Sequence, residues 1–371
     1  DSDIDPCQAQ TIIYDVATGG VHATIFGHRG PVRAARFSPD GTSVLTGSDD
    51  GTARQNDAVS GDLIFNFLGN DDANPDAGVT SVAWAPDGSA FALGMTSGRT
   101  VLRSAFTGAV LLTLGQHAGP VNSVAFDPGG LQLVTGGVDR RVLLWDLRTG
   151  QVVREFVGHE LSVTAVAFRG QRVFSASHDG TARVWNPATG AEVLRFAGHN
   201  ASVLALTTSS DGAVVITGGA DNRALQWDAA TGVIGRAYAD HASPVVSVAL
   251  SPDSTRLATG SRDAALRLWS TTTGALLHKE RPCDSAIASV HFSPDGQQVV
   301  AAVAAANDIP LDTVAGQGND LTLTTPLPLN LNTPDVTPGT YFLWVEVRTD
   351  RTDPVRRYAP TVVQVIPPLP S

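Results

Sequence analysis

The sequence predicts an all-β protein in which one four-stranded unit is repeated seven times, and three observations carry that prediction. The first is the stretch GHELSVTAVAFRGQRVFSASHDGTARVWNPATG, Gly158 to Gly190. It holds three runs at strand period, Val163 to Phe168, Arg172 to Ala176 and Thr181 to Trp185, with a tight Asp179-Gly180 turn before the third. A Thr189-Gly190 turn and the alternating AEVLRF complete a fourth strand and deliver the chain to Gly198-His199. The second observation is that the Thr-Gly turn recurs at Thr18, Thr107, Thr149, Thr189, Thr231 and Thr273, with Ser60-Gly61 in the same slot, at spacings of 42, 47, 42, 40, 42 and 42. The third is that an aromatic residue or its replacement stands four residues before each turn: Tyr14, Asn56, Arg103, Trp145, Trp185, Trp227 and Trp269. A unit of this period cannot bury its apolar face alone, so neighbouring copies must stack on one another.

Two dipeptides mark the register. Gly-His or its relics stand at Gly27-His28, Gln116-His117, Gly158-His159, Gly198-His199 and Asp240-His241, and the second mark reads Trp145-Asp146, Trp185-Asn186, Trp227-Asp228 and Trp269-Ser270. This pattern resembles the WD-repeat β-propellers, whose units carry Gly-His and then Trp-Asp every 40–45 residues or so. The resemblance covers roughly Gln10 to Ala306. It implies a seven-bladed β-propeller in which one blade is shared by N- and C-terminal strands, followed here by a short β-hairpin segment.

Taken in order, Thr11 to Asp15 and Val21 to Phe26 read as a third and a fourth strand with no first and second before them. The missing pair lies at the other end, Ile287 to Phe292 and Gln298 to Ala302 around Ser293-Pro294-Asp295-Gly296. In the family it resembles, such a shared blade clasps the ring and leaves no open sheet edge there. Cys7 and Cys283, the two cysteines, lie just before the third and first strands of that blade, which makes them a candidate disulfide across the closure. That bridge would point to an oxidising compartment, so an extracellular or periplasmic location is expected. The chain opens on Asp1 rather than Met, which reads as a trimmed precursor.

Blade one keeps His28, Thr46 and Asp50 but carries Asn56 in the tryptophan slot. Blade two departs further, with Arg103 in that slot, Ser97 in the aspartate slot and the longer acidic loop GNDDANPDAG, Gly69 to Gly78, in place of Gly-His. Asp71, Asp72 and Asp76 there are calcium candidates by their oxygen content alone, as is the DSDID at the N-terminus; solvated acidic segments explain both, and no metal is expected. For blades three to six the resemblance implies a hydrogen-bonded relay within each blade. Its members are His117, Thr135, Asp139 and Trp145; His159, Ser175, Asp179 and Trp185; His199, Thr217, Asp221 and Trp227; and His241, Thr259, Asp263 and Trp269. These His, Ser or Thr, and Asp sets look like catalytic triads, but near-identical copies in four blades serve structure, since every blade must satisfy its buried polar groups.

The propeller reading assigns residues 1–306 to the ring, 307–319 to a linker and 320–371 to a C-terminal β segment. In that segment TYFLWVEVRTD and YAPTVVQVI read as paired strands resembling the last hairpin of an immunoglobulin-like sandwich, of the kind appended to secreted bacterial proteins. It is about half the length of such a sandwich, roughly 100 residues. Its apolar residues Phe342, Trp344 and Val363 therefore need a partner, in cis or from another copy.

Composition bounds the function. Acidic residues outnumber basic ones 36 to 25 and the net charge is −11, which argues against a general nucleic-acid surface. No apolar run of about 18 residues exists to span a membrane as a helix. The haem, zinc, phosphate-loop and nucleophile-elbow motifs are absent, so no cofactor is expected. His22, His178, His278 and His291 follow no ligand spacing and read as surface or packing residues. The function expected is a non-enzymatic scaffold for protein partners, copies of itself included, with Arg29, Arg103, Arg140 and Arg262 as candidate anchors. Two alternatives stand beside it: a structural subunit of an extracellular or envelope assembly, built through the C-terminal segment, and a ligand binder or enzyme using the central channel. Small residues expected to line that channel, Ser123, Ala165, Ala205 and Ser247, imply a narrow bore.

Overall fold

The computed structural model describes residues 9–68, 77–115 and 117–304, together with the backbone of strands at 340–347 and 355–364. The chain divides into two units, Asp1–Gly316 and Gln317–Ser371. In the second, β29 (Thr340–Val347) and β30 (Val355–Gln364) form an antiparallel hairpin. The side chains of Phe342, Trp344 and Val363, and Cys7, Asp71, Asp72 and Asp76, lie outside the described residues.

The first unit is seven four-stranded antiparallel sheets. Blade one runs β3 (Val32–Phe37), β4 (Ser43–Ser48), β5 (Thr52–Asp57) and β6 (Leu63–Leu68). Blade two follows with β7 (Val79–Trp84), β8 (Ala90–Met95), β9 (Arg99–Ser104) and β10 (Val110–Gly115). Blade three has β11 (Val121–Phe126), β12 (Gln132–Gly137), β13 (Val142–Asp146) and β14 (Gln151–Phe156). Blade four has β15 (Val163–Arg169), β16 (Arg172–Ser177), β17 (Ala182–Trp185) and β18 (Glu192–Phe196). Blade five comprises β19 (Val203–Thr208), β20 (Val214–Gly219), β21 (Ala224–Asp228) and β22 (Ile234–Tyr238). Blade six is β23 (Val245–Leu250), β24 (Arg256–Ser261), β25 (Leu266–Ser270) and β26 (Leu276–Glu280).

Blade seven closes the ring from both ends of this unit, in the order β2-β1-β28-β27, with β1 (Thr11–Asp15), β2 (Val21–Ile25), β27 (Ile287–Phe292) and β28 (Gln298–Val303). Thr11 pairs with Ala302, Ile13 with Val300 and Tyr14 with Val299, so the clasp is an ordinary antiparallel ladder. It spares β28 an unpaired edge.

There is no single core. Seven apolar layers fill the seven gaps between blades, for example Val134, Leu144, Val163, Val166 and Trp185 between blades three and four, and Ile13, Ile25, Val32, Phe37 and Val300 across the clasp. The close approach has a sequence cause. A Cβ on Gly136 would come within 2.5 Å of Val163, and one on Gly47 within 2.5 Å of Val79, so glycine on the second strand lets the next blade seat against it. Each innermost strand also carries a bulge at one equivalent position, as between Val121 and Ser123.

Candidate functional site

The relay inferred for blades three to six is complete in blades three, four and five and altered in blade six. In blade four the His159 Nδ1 lies 2.8 Å from Asp179 and its Nε2 2.7 Å from the Ser175 hydroxyl, which accepts the Trp185 indole N–H at 2.8 Å. Blade three repeats this with His117 to Asp139 at 2.9 Å, His117 to Thr135 at 2.8 Å and Trp145 to Thr135 at 2.9 Å. In blade five the same contacts are 3.0, 2.8 and 3.3 Å through His199, Asp221, Thr217 and Trp227. The indole can only donate, so the hydroxyl gives its own proton to Nε2, and Nδ1–H then faces the carboxylate. Ser175, Thr135, Thr217 and Thr259 are fully buried. No substrate can reach a hydroxyl sealed beneath tryptophan, and the resemblance to a triad ends there.

These carboxyls sit below their ordinary range. Burial alone would raise Asp179 and Asp221, but the hydrogen bonds from His159 and Thr181, and from His199 and Arg223, outweigh it. His117 is lowered by burial, against the pull of Asp139.

Blade six alters the relay. Arg267 enters it, with Nη1 2.6 Å from His241 Nδ1 and 2.8 Å from Asp263, while its Nε donates to Asp240 at 3.0 Å. A guanidinium has no acceptor, so His241 Nδ1 must accept and its proton sits on Nε2, facing Thr259 at 2.7 Å. The tautomer is the reverse of that in blades three to five. Burial, and then the charge of Arg267, pushes His241 down to about 4, which keeps this imidazole neutral.

The remaining blades depart in the slots the sequence marks. Blade one keeps His28 on Asp50 at 3.0 Å and on Thr46 at 2.8 Å, and Asn56 replaces the indole by donating to Gly61 O at 3.0 Å. Blade two packs apolar Phe91, Leu93 and Met95 along its second strand instead. Its Arg103 donates to Gly108 O at 2.7 Å and Leu68 O at 2.6 Å, bracing the turn to β10 against blade one. In blade seven Tyr14 fills the tryptophan slot, and Cys283, buried, precedes the innermost strand as the histidines do elsewhere.

The four candidate arginines do not share a surface. Arg29, Arg140 and Arg262 lie in loops beside the relay aspartates Asp50, Asp139 and Asp263, on one rim but in blades one, three and six. Arg103 is at the opposite end of its strand, half-buried, and its guanidinium makes the brace just described. Arg140 holds a φ of 71° where blades one, two and four place Gly51, Gly98 and Gly180, a left-handed turn that disfavours a side chain.

The expected channel lining also needs correction. Ser123 and Ser247 face the next blade, accepting the backbone N–H groups of Val166 at 3.0 Å and Val290 at 2.9 Å. Ala205 is buried in the layer between blades five and six. The bulge one residue earlier in each strand turns these positions sideways. Ser81 and Ser289 make the same stitch to Val124 and Ala35 at 3.2 and 3.3 Å.

One surface escaped the sequence reading. The outermost strands β14, β18, β22 and β26 carry charges, at Arg154 and Glu155, Glu192 and Arg195, Arg236, and Lys279 and Glu280. In blades one and two the outermost strands read LIFNFL and VLLTLG, with no charge at all. Leu63 is 50% exposed, Phe65 42% and Leu111 57%, and Leu68, Phe106 and Val110 are exposed beside them. The run of uncharged residues was visible in the sequence. That it faces solvent was not.

Among the described residues no group of three or more His, Cys, Asp or Glu could hold a metal ion, and no helix is long and apolar enough to cross a membrane.

The model of the WD domain, G-beta repeat family matches five segments, residues 19–57, 108–146, 150–186, 190–228 and 232–270. Individual relatives match over shorter stretches. The chain is 36% identical over 81 residues to the ribosome biogenesis protein ERB1 of Candida glabrata, covering 21% of this chain and 10% of that protein. It is 32% identical over 113 residues to a guanine nucleotide-binding protein subunit beta of Oryza sativa subsp. indica, 29% of this chain and 30% of that protein. To a serine-threonine kinase receptor-associated protein of Dictyostelium discoideum it is 52% identical over 42 residues, 11% of this chain and 14% of the relative. The chain thus spans at most a third or so of these relatives' lengths. With five repeats covering more than half of the residues, the chain belongs to the WD domain, G-beta repeat family.

Proposed function

We propose that the protein is a non-enzymatic platform for protein contacts and that its partner face is the outer edge of blades one and two. The observation that carries this is the uncharged pair β6 and β10. Outermost strands present unpaired backbone groups, and natural sheets guard them with charge; these two instead combine an open edge with exposed Leu63, Phe65, Val110 and Leu111. Contiguous exposed apolar surface of this kind marks interaction sites. The turn of β9 to β10 touches β6, since Gly108 abuts Phe67, so the two edges form one neighbourhood.

Affinity capture from the native source, compared between wild type and a Phe65→Asp/Leu111→Asp double variant, tests the reading. Both substitutions sit on exposed positions, so a surface-level change in stability of within about 0.5 kcal/mol is expected. A defined protein retained by wild type and depleted at least tenfold by the variant is the expected outcome. Equal recovery from both, or no specific partner at all, sinks it.

The same reading places the platform in an oxidising compartment, with Cys7 joined to Cys283. Its support is that Cys283 is buried at the head of the blade that β1 closes and is not a free thiol. Peptide mapping without and with reductant should recover the Cys7–Cys283 pair only without it. Two separately alkylated thiols from non-reduced protein would remove both the bridge and the compartment.

A further inference from the structure

We propose that the central channel, at the end away from the relay aspartates, holds a site for a small free oxyanion of phosphate or sulfate size, formed by Arg36, Arg169 and His291. Arg36 lies on β3 and His291 at the equivalent position of β27, paired with Leu45 and Val300 respectively. Arg169 ends β15, where blade four replaces the longer turn of its neighbours with a tight hairpin to Arg172. Blade four stands three blades from blade one and three from blade seven, on the far side of a ring of seven. Yet the charge of Arg169 is felt at both Arg36 and His291. With two blades intervening on the shorter path to each, that influence runs across the channel.

The cluster is under-satisfied as it stands. Arg36 Nη1 donates to the Ser289 hydroxyl and to Ala35 O, each at 3.1 Å, and Arg169 Nη1 donates to Phe168 O at 2.8 Å. A guanidinium offers five N–H donors, so most remain available. No carboxylate among the described residues pairs with either arginine. His291 Nδ1 is buried and makes no hydrogen bond. Burial and then the charge of Arg169 push Arg36 down to about 10, and burial followed by both arginines holds His291 well below its usual value. At the matching position the other inner strands carry only Ala83, Ala125, Ala167, Thr207 and Ala249, all with short side chains and none with a charge. Two cations beside an imidazole whose buried Nδ1 makes no hydrogen bond have the composition of an oxyanion cradle, where planar guanidinium groups bind tetrahedral oxyanions through paired N–H donors.

The test is titration of the full chain with inorganic phosphate at constant ionic strength, read by thermal unfolding and by calorimetry. Wild type should show a saturable rise in unfolding temperature in the millimolar range or below, which chloride does not reproduce. Arg169→Gln, at the exposed end of β15, should weaken phosphate binding at least tenfold without lowering the unfolding temperature in phosphate-free buffer. Arg169→Glu should raise that temperature by pairing with Arg36, and should abolish the phosphate response. Identical phosphate responses in wild type and Arg169→Gln would reveal a general salt effect and overturn the site. A phosphoserine peptide binding more than tenfold tighter than inorganic phosphate would overturn the assignment to a free ion.

Discussion

Ile13→Asp is expected to open the ring. Ile13 is fully buried in β1, in the layer that blade seven shares with blade one, and the strand that carries it pairs the start of the propeller with β28. A carboxylate there has no partner among Ala23, Ile25, Ala35, Val44 and Val300. An uncompensated buried charge costs on the order of 3–5 kcal/mol. For a fold whose whole margin is about 5–15 kcal/mol, that is enough to detach the strand. The measurement is the urea midpoint together with limited proteolysis, and early cleavage around β1 and β28 is the expected signature. Val21→Asp, at an exposed position of β2, supplies the control and should shift stability by less than about 0.5 kcal/mol. If the two variants unfold alike, the clasp does not hold the ring.

Trp227→Ala is expected to cost about 3–5 kcal/mol, the range for deleting a large buried aromatic. Trp227 stacks on Phe196 at 4.4 Å and 7° between planes, and its indole N–H donates to Thr217. It therefore joins the relay of its own blade to the apolar layer shared with blade four. Trp227→Phe separates the two contributions. It retains most of the stack and loses only the hydrogen bond, so its cost should be about 0.5–1.5 kcal/mol. Chemical denaturation of the three proteins measures both; a Phe variant as damaged as the Ala variant would mean that the polar relay, not the packing, carries the stability.

How far each feature could be read from the chain follows from how local its cause is. The relay residues of blades three to six were legible because each blade repeats the same constraint at one spacing, and a hydrogen bond between His159 and Asp179 needs no information from another blade. The role of Asn56 and Arg103 was half legible: their slot is fixed by the repeat, but whether an arginine there points to a partner or braces Gly108 depends on what Leu68 of the neighbouring blade presents. Arg267 was not legible at all. Its position in β25 alternates like any other, and only the fold brings its guanidinium between His241 and Asp263.

The channel lining shows the same limit from the other side. Ser123 and Ser247 look inward if the strands are regular, and a single bulge in each is enough to send them to the next blade instead. By contrast Arg36, Arg169 and His291 lie 255 residues apart at their extremes and share no pattern in the sequence.

The sequence by itself determined the repeating unit, the number of blades, the shared blade and the tetrad of blades three to six, because all of these arise from short-range alternation and a fixed period. Only the tertiary structure decided which side chains meet across blades: the uncharged edges of β6 and β10 side by side, the reversed histidine in blade six, and the cations facing one another over the channel. Those meetings depend on curvature and on bulges, which are set by how one sheet seats against the next, and no spacing along the chain encodes them.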